Sequence, residues 1–356
     1  MDKAIISSVV RIGKRVIGLG HPAFVIAEAG VNHNGSVDRA KAMIDVAATA
    51  GADAVKFQTF RADALVSPQA PKAAYQQIGA DAGENQHEML RGLELSYEDH
   101  ATLVEHAKHR SIMFLSSPFD EKSADLLAEL GTPAFKTGSG ELTNLPFLAY
   151  LAALGKPMIV STGMSDLEEV RAAVRTVRGG GHADQLLLLH CVSNYPAQPA
   201  DINLKAMETL REEFGVPVGY SDHTLGSAVA IASVALGACV VEKHFTMDRS
   251  LPGPDHRASL EPDELSAMIS AIRSVESALG NGEKYPAASE REMRRVARKS
   301  LVAAVQIDEG AEITEQMIAA KRPGDGLPPN MLPEIVGKIA AVTVRAGQML
   351  TKDMIR

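Results

Sequence analysis

The chain has 356 residues, 46% hydrophobic and 22% charged, with a formal net charge of -8. That length suits one large domain plus a small one, and the composition is ordinary for a soluble globular protein. The acidic balance argues against nucleic acid as a partner. Aromatics at 4%, with no Trp, argue against a base-stacking platform or an aromatic carbohydrate-binding surface.

The N-terminus carries Arg11, Lys14 and Arg15 and lacks a signal-like apolar core followed by a cleavage site. No stretch reaches membrane-spanning length without charge, so no membrane association is expected. Cys191 and Cys239 both sit in strand-like apolar runs, which points to a reducing, cytoplasmic setting rather than a disulfide framework.

The first twenty residues read as a short hairpin turning at Ile12-Gly13-Lys14. Eight short apolar runs follow: FVIAEAG from Phe24, DAVKFQT from Asp53, IMFLSSPF from Ile112, AFKTGSGE from Ala134, PMIVSTGM from Pro157, LLLLHCVS from Leu186, PVGYSDH from Pro217 and CVVEKHF from Cys239. Each is too short for a globular helix and fits a strand buried on both faces. Helices are predicted between them. Ser36-Val37-Asp38 opens one that Gly51 ends, and Ser165 with Glu168 reads as a capping box before VRAAVRTV. Asn203 leads LKAMETLREEF, which Gly215 stops, and Glu261 to Gly280 forms a long amphipathic helix. The alternation implies parallel strands. Eight units over roughly 250 residues imply a closed (β/α)8 TIM barrel, with an open doubly wound sheet as the alternative.

The stretch from Arg61 to Leu95 is long and rich in Pro and Gly, and is expected at the active face as a lid or wall. After Gly280 the composition shifts. Residues 286–298 read as a charged, loop-like linker between a barrel domain at 1–285 and a small β-rich domain at 299–356. In that domain SLVAAVQIDEGAEITEQMI and VGKIAAVTVRAGQMLTKDMI look like two halves of an internal repeat.

Reactive side chains of such a barrel project from the C-terminal ends of its strands. Those ends offer Glu28, Lys56, Ser116 and Ser117, Lys136 with Ser139 and Glu141, Ser161, Ser193, Ser221 with His223, and Glu242 with Lys243 and His244. Cations, hydroxyls and glycines suit a small anion carrying phosphate and carboxylate. Lys56 and Lys136 are anion-binding groups, solvated strand ends, or a Schiff-base lysine. His223 and His244 end neighbouring strands, about 4.8 Å apart. They either converge on one ion or cap loops. Two protein ligands would make an open site suited to exchangeable Mn2+ or Mg2+ rather than structural Zn2+. Glu28, in an apolar run, is either the ion-pair partner of Lys56 or a proton-transfer group. The turn at His33 to Gly35, the GSG at Gly138, and the loops PGPD (from Pro252) and KRPGDG (from Lys321) are weak signals on their own.

Taken in order, IAEAGVNHNG, GADAVKFQT, FLSSPF, FKTGSGE, IVSTGM, GYSDHT, GACVVEKHFT, GPDH and ASLEP resemble the sialic acid synthase family. The chain from about Lys299 onward is similar to that family's antifreeze-like (SAF) domain, a β-clip fold. The resemblance implies a transferase that condenses phosphoenolpyruvate with an N-acylated amino sugar to a nine-carbon 2-keto-3-deoxy acid plus phosphate. It implies that Lys56, Ser117, Lys136, Ser139, Ser161, Ser193 and Ser221 hold phosphoenolpyruvate. His223 and His244 would hold a divalent metal (Mn2+ or Mg2+), and Glu28 would be the acid/base. Glu141, Tyr195 and Asp255 would contact the sugar. Arg322, from the small domain of a second copy in a domain-swapped homodimer, would contact the acyl group. SNYP at Ser193 departs from an asparagine-containing version, so either Ser193 or Asn194 makes that contact. The expected reaction is that of an N-acetylneuraminate synthase using N-acetylmannosamine. The alternatives are a legionaminic acid synthase, more remotely a pseudaminic acid synthase, and, as another class, a Schiff-base barrel aldolase. Ice binding, which the SAF name invites, would leave the barrel unexplained.

Overall fold

The structure is a computed structural model and describes residues 9–72, 85–181 and 184–356. Part of the expected lid, residues 73–84, and residues 1–8 of the hairpin segment lie outside the described residues. Two compact units are present, residues 1–280 and 281–356.

In the first unit β1 (Val9–Ile12) and β2 (Arg15–Gly18) form the antiparallel hairpin, turning at Gly13 and Lys14. The eight apolar runs become β3 (Phe24–Gly30), β4 (Ala54–Thr59), β5 (Met113–Pro118), β6 (Phe135–Thr137), β7 (Met158–Ser161), β8 (Leu186–Cys191), β9 (Val218–Asp222) and β10 (Val240–His244). They pair in parallel in the order β5-β4-β3-β10-β9-β8-β7-β6. β5 and β6 lie side by side and nearly close the ring. The result is a TIM-type barrel.

Alternation along each strand separates two cores. Phe24, Ile26, Ala54, Leu115, Ala134, Ile159, Leu187, Leu189 and Val240 fill the barrel interior, together with Val10, Ile12 and Ile17 of the hairpin. The hairpin is therefore the plug of one barrel end. The alternate residues, among them Val25, Ala27, Val55, Phe57, Phe135, Val160, Leu188 and Val241, pack outward against the helices.

The helix Val37–Ala50 starts at Ser36, whose Oγ accepts from Arg39 N–H, and stops at Gly51 in the left-handed region. Two predicted starts shift. The capping box of the helix Leu167–Gly179 is Asp166 with Glu169, one residue beyond Ser165 and Glu168, because Ser165 Oγ donates to the Gly163 carbonyl instead. The helix stopped by Gly215 begins at Ala206, since Asn203 takes a left-handed turn before it. The long helix spans Pro262–Leu279, entered through Glu261. The described parts of the expected lid are two short helices, Ala62–Leu65 and Gln86–Arg91. Leu90 and Leu93 pack there on Val31 and Phe60 beside the C-terminal ends of β3 and β4.

In the second unit the charged stretch expected to be a loop contains a helix, Arg291–Ala297. Its residues are good helix formers and Arg295 pairs with Glu292 one turn back, so high charge there marks a solvated helix face. β11 (Ser300–Ala303) and β12 (Ile318–Lys321) pair antiparallel. The internal repeat is a two-fold pseudosymmetry. Ile307 and Val344 exchange both backbone hydrogen bonds. Gly347 N–H donates to Ala303 O, and its counterpart Gly310 N–H donates to Ala340 O. Each half ends in a matching 3-10 turn, Glu315–Met317 and Lys352–Met354, entered through Thr314 and Thr351.

Gly219 faces the barrel interior, and a Cβ there would lie 2.6 Å from Val240 Cβ and 2.8 Å from Leu189 Cδ2. Gly219→Ala is expected to cost about 1–3 kcal/mol through overpacking. A urea denaturation midpoint equal to that of the parent chain would contradict this.

Candidate active site

The apolar alternation inside the barrel ends abruptly one layer below the C-terminal face. Glu28, Lys56, Lys136, Ser161, Ser221 and Glu242 continue the inward-facing series of six strands, and all are buried. The register explains the meeting: Glu28 on β3 stands opposite Lys56 on β4, and Glu242 on β10 stands opposite Ser221 on β9. Lys56 Nζ lies 2.7 Å from Glu28 Oε2 and 3.6 Å from Glu242 Oε2, while Lys136 Nζ lies 3.2 Å from Glu242 Oε1. Ser221 Oγ donates to Glu242 at 2.9 Å, and Lys56 donates to Ser117 Oγ at 3.1 Å. One carboxylate thus joins both lysines across the ring.

The two carboxylates differ in ionisation. Burial pushes Glu28 up to about 7, and the attraction of Lys56 only partly offsets it. Burial also acts on Glu242, but Lys136 and Lys56 together outweigh it and bring that group down to about 2. The pair divides into a group able to exchange a proton near neutrality and one held permanently as an anion. Burial works against the charge on Lys56 too, yet Glu242 and Glu28 hold its pKa above the ordinary lysine value.

Above this layer the hydroxyls of Ser139 and Ser193 converge over Gly163. A Cβ there would sit 2.4 Å from Ser193 Oγ and 2.7 Å from Ser139 Oγ, and Gly163 N–H donates to Ser139 Oγ at 3.0 Å. Ser161 Oγ is buried without a hydrogen-bond partner. Hydroxyls gathered over bare backbone make a small anion cradle. Ser193 faces that cradle, whereas Asn194 is exposed.

On the β9 and β10 side, the rings of His223 and His244 lie 5.5 Å apart. His223 Nδ1 donates to the Val192 carbonyl at 2.7 Å, leaving its lone pair on Nε2, which receives the Tyr195 hydroxyl at 3.0 Å. His244 Nδ1 is buried without a hydrogen-bond partner, 3.7 Å from Asp255 Oδ2. Burial keeps His244 well below the ordinary histidine value, so it is neutral. Two imidazoles, one of them oriented by a backbone carbonyl, fit an open two-ligand metal site. No cluster of three such ligands occurs among the described residues. Glu28, His244 and Asp255 all crowd Gly30, where a Cβ would lie 3.3 Å from Glu28 Oε1, 3.4 Å from His244 Cε1 and 3.5 Å from Asp255 Oδ2.

Glu141 accepts from Asn144 in the 3-10 turn after β6. Arg322 is exposed in the second unit. One residue of the site, Glu242, is visible in the sequence at a strand end but receives no role there. Period-two alternation is the missing signal, because a β10 that turns His244 inward must turn Glu242 inward as well. The same rule sends Lys243 outward, where it pairs with Asp222 at 2.8 Å in a buried structural ion pair. Cys191 and Cys239 are both free and buried.

Among known proteins, the NeuB family matches residues 43–284 and the SAF domain matches residues 298–356. The N,N'-diacetyllegionaminic acid synthase of Legionella pneumophila is 49% identical, over 94% of this chain and 94% of its own. The N,N'-diacetyllegionaminic acid synthase of Campylobacter jejuni is 46% identical, over 92% of this chain and 98% of its own. The solved N-acetylneuraminic acid (sialic acid) synthetase of Leptospira borgpetersenii is 34% identical with a TM-score of 0.71, covering 81% of this chain and 95% of that one. Among the described residues, no helix is long and apolar enough to cross a membrane.

Removing the shared anion leaves Lys136 without its carboxylate and Lys56 with only one. Glu242→Ala is expected to destabilise the fold by about 3–5 kcal/mol, the usual cost of breaking a buried pair from one side. Urea denaturation checks this, and a loss below about 1 kcal/mol would mean the lysines are solvated.

Proposed function

The chain belongs to the NeuB family, and from that premise we propose that it condenses phosphoenolpyruvate with an N-acylated amino sugar, forming a nine-carbon 2-keto-3-deoxy acid and releasing phosphate. N-acetylmannosamine is the sugar expected from the sequence, although its motifs do not separate that sugar from the diacetamido alternative. The two relatives of highest identity described above favour the alternative, a 2,4-diacetamido-trideoxyhexose giving a legionaminic acid. We adopt that sugar.

The observation that carries the reading is the buried layer of Lys56, Lys136, Glu28 and Glu242 beneath the serine cradle. Lys56, Lys136, Ser117, Ser139, Ser161, Ser193 and Ser221 would bind the phosphate and carboxylate of phosphoenolpyruvate and orient its C3 toward the aldehyde carbon of the open-chain sugar. Asp255, Tyr195 and Glu141 would hold the sugar. As the new C–C bond forms, positive charge develops at C2 and water adds there. Glu28 would relay a proton of that water to the alkoxide left by the aldehyde, and collapse of the tetrahedral centre to the 2-keto group breaks the C–O bond to phosphate, which leaves with the hydroxyl proton and whose charge the lysines neutralise. Holding the two reactants in line can supply about 7–11 kcal/mol of the barrier. A divalent cation, Mn2+ or Mg2+, on His223 and His244 would supply Lewis acidity toward the sugar aldehyde. A homodimer that exchanges its tail units, bringing Arg322 of a second copy to the acyl group, belongs to the same proposal.

Lys56 is disfavoured as a Schiff-base nucleophile on physical grounds. Such a lysine must lose its proton to attack a carbonyl, and Lys56 is held protonated by Glu242 and Glu28.

The decisive experiment is phosphate release from phosphoenolpyruvate with a panel of free amino sugars and Mn2+. Turnover is expected to be fastest with the 2,4-diacetamido sugar, to vanish in chelator and to return on adding Mn2+. Faster turnover with N-acetylmannosamine would reverse the sugar assignment. Borohydride trapping of pyruvate on lysine, without phosphate release, would replace the reaction class. Glu28 acts as a base only when ionised, so kcat/KM is expected to rise with pH and level off above about 7. Glu28→Gln should lose most of that activity, and an unchanged sloping profile in the variant would assign the inflection elsewhere.

A further inference from the structure

The turn after β3, Asn32-His33-Asn34-Gly35, is absorbed by none of the roles above. We propose that it is a clamp whose two asparagine side chains fix the loop after β10, so that Asp255 is presented to the amino sugar. Asn32, Asn34 and His256 are then positioning residues for sugar recognition. The inference rests on the reading that Asp255 contacts the sugar, and it goes further by naming what sets that contact.

β3 and β10 are paired neighbours, with Glu28 opposite His244, so the loops that leave them meet. Asn34 Nδ2 donates to the Pro252 carbonyl at 2.8 Å. Asn34 Oδ1 lies 3.1 Å from His256 Nε2. An amide oxygen only accepts, so Nε2 carries the proton and Nδ1 is left to accept from the Thr246 hydroxyl, 2.6 Å away. Burial pushes His256 down to about 4, with Arg39 adding to the effect, so the ring stays neutral and this pattern is fixed over the physiological range.

Asn32 works from the other side. Its Nδ2 donates to the Phe245 carbonyl at 2.8 Å and to Ser259 Oγ at 2.9 Å. Ser259 Oγ in turn donates to the Asp255 carbonyl at 2.7 Å. The loop is therefore held through the backbone carbonyls of Pro252 and Asp255 and through the ring of His256, while the Asp255 carboxylate takes no share in the clamp and lies 3.7 Å from His244 Nδ1.

Backbone requirements agree with this use. Asn34 and Gly35 both take left-handed conformations, at φ 48° and 70°. A Cβ on Gly35 would lie 2.7 Å from the Gly92 carbonyl oxygen, and one on Gly253 would lie 2.7 Å from the His256 ring. The turn and the loop it grips are each built for close approach.

The test uses the full-length chain and separate titrations of phosphoenolpyruvate and of each sugar, 2,4-diacetamido-2,4,6-trideoxymannose and N-acetylmannosamine, by steady-state kinetics. Asn34→Ala and His256→Ala are expected to lower kcat/KM for the sugar by on the order of 10- to 100-fold, the cost of a misplaced contact. KM for phosphoenolpyruvate should stay within about twofold. His256→Gln keeps a donor toward Asn34 and an acceptor toward Thr246, and should recover most of the loss. Binding of phosphoenolpyruvate measured by calorimetry shows that each variant is folded. Asp255→Asn separates the clamp from the contact it serves. If Asp255→Asn damages sugar use and the clamp variants do not, or if they weaken both substrates equally, the clamp is wrong and the Asp255 contact stands. If Asp255→Asn leaves sugar use unchanged, both fall.

Discussion

The site depends on one buried carboxylate. Glu242 stands between Lys56 and Lys136 and also accepts from Ser221, so three strands of the ring are tied through a single side chain. Two ammonium groups this deep in a protein would ordinarily shed their protons or draw in water. Held between opposite charges, Lys56 instead stays charged, and the surrounding apolar layer of Ile26, Leu115, Ile159 and Leu189 can pack directly beneath it. The arrangement keeps cationic groups in place before any anion arrives, which is what preorganisation requires.

Glu28 shows the reverse use of the same environment. It shares Lys56 with Glu242 but lacks a second cation of its own, and burial prevails. Two glutamates in one layer thus ionise in different ranges: Lys136, Lys56 and the Ser221 hydroxyl draw Glu242 down, while burial and the neighbouring Glu242 anion raise Glu28. The division of labour between a proton carrier and a fixed anion follows from the placing of Lys136 on the far side of Glu242, and no change of residue type is needed to produce it.

Much of this was legible in the sequence. Eight short apolar runs gave eight strands, because a strand buried on both faces has few alternatives once helical punctuation separates it from the next. Strand ends named Glu28, Lys56, Lys136, His223 and His244 as neighbours, and parallel register brought them together. Other features were hidden for identifiable reasons. Glu242 required a decision about which way β10 faces. Ser165 with Glu168 has the spacing of a capping box, but Ser165 Oγ is drawn to the Gly163 carbonyl in three dimensions and the cap passes to Asp166. The helix at Arg291–Ala297 was concealed because dense charge reads equally as a loop or as a solvated helix face. Asn34 meets Pro252 across most of the chain's length, and no local pattern announces such a partner.

The pseudosymmetric tail has a consequence for how that unit can exist. Each half lends the other its strand-edge bonds: Ala303 and Gly347 on one side, Ala340 and Gly310 on the other. A half on its own would be left with open backbone edges, which in water are the features that recruit a second chain. The unit should therefore form in a single cooperative step or not at all. The same reciprocity means that a half from one molecule is chemically indistinguishable, to its counterpart, from a half supplied by a neighbour, so stalled or truncated tails are natural seeds for strand exchange.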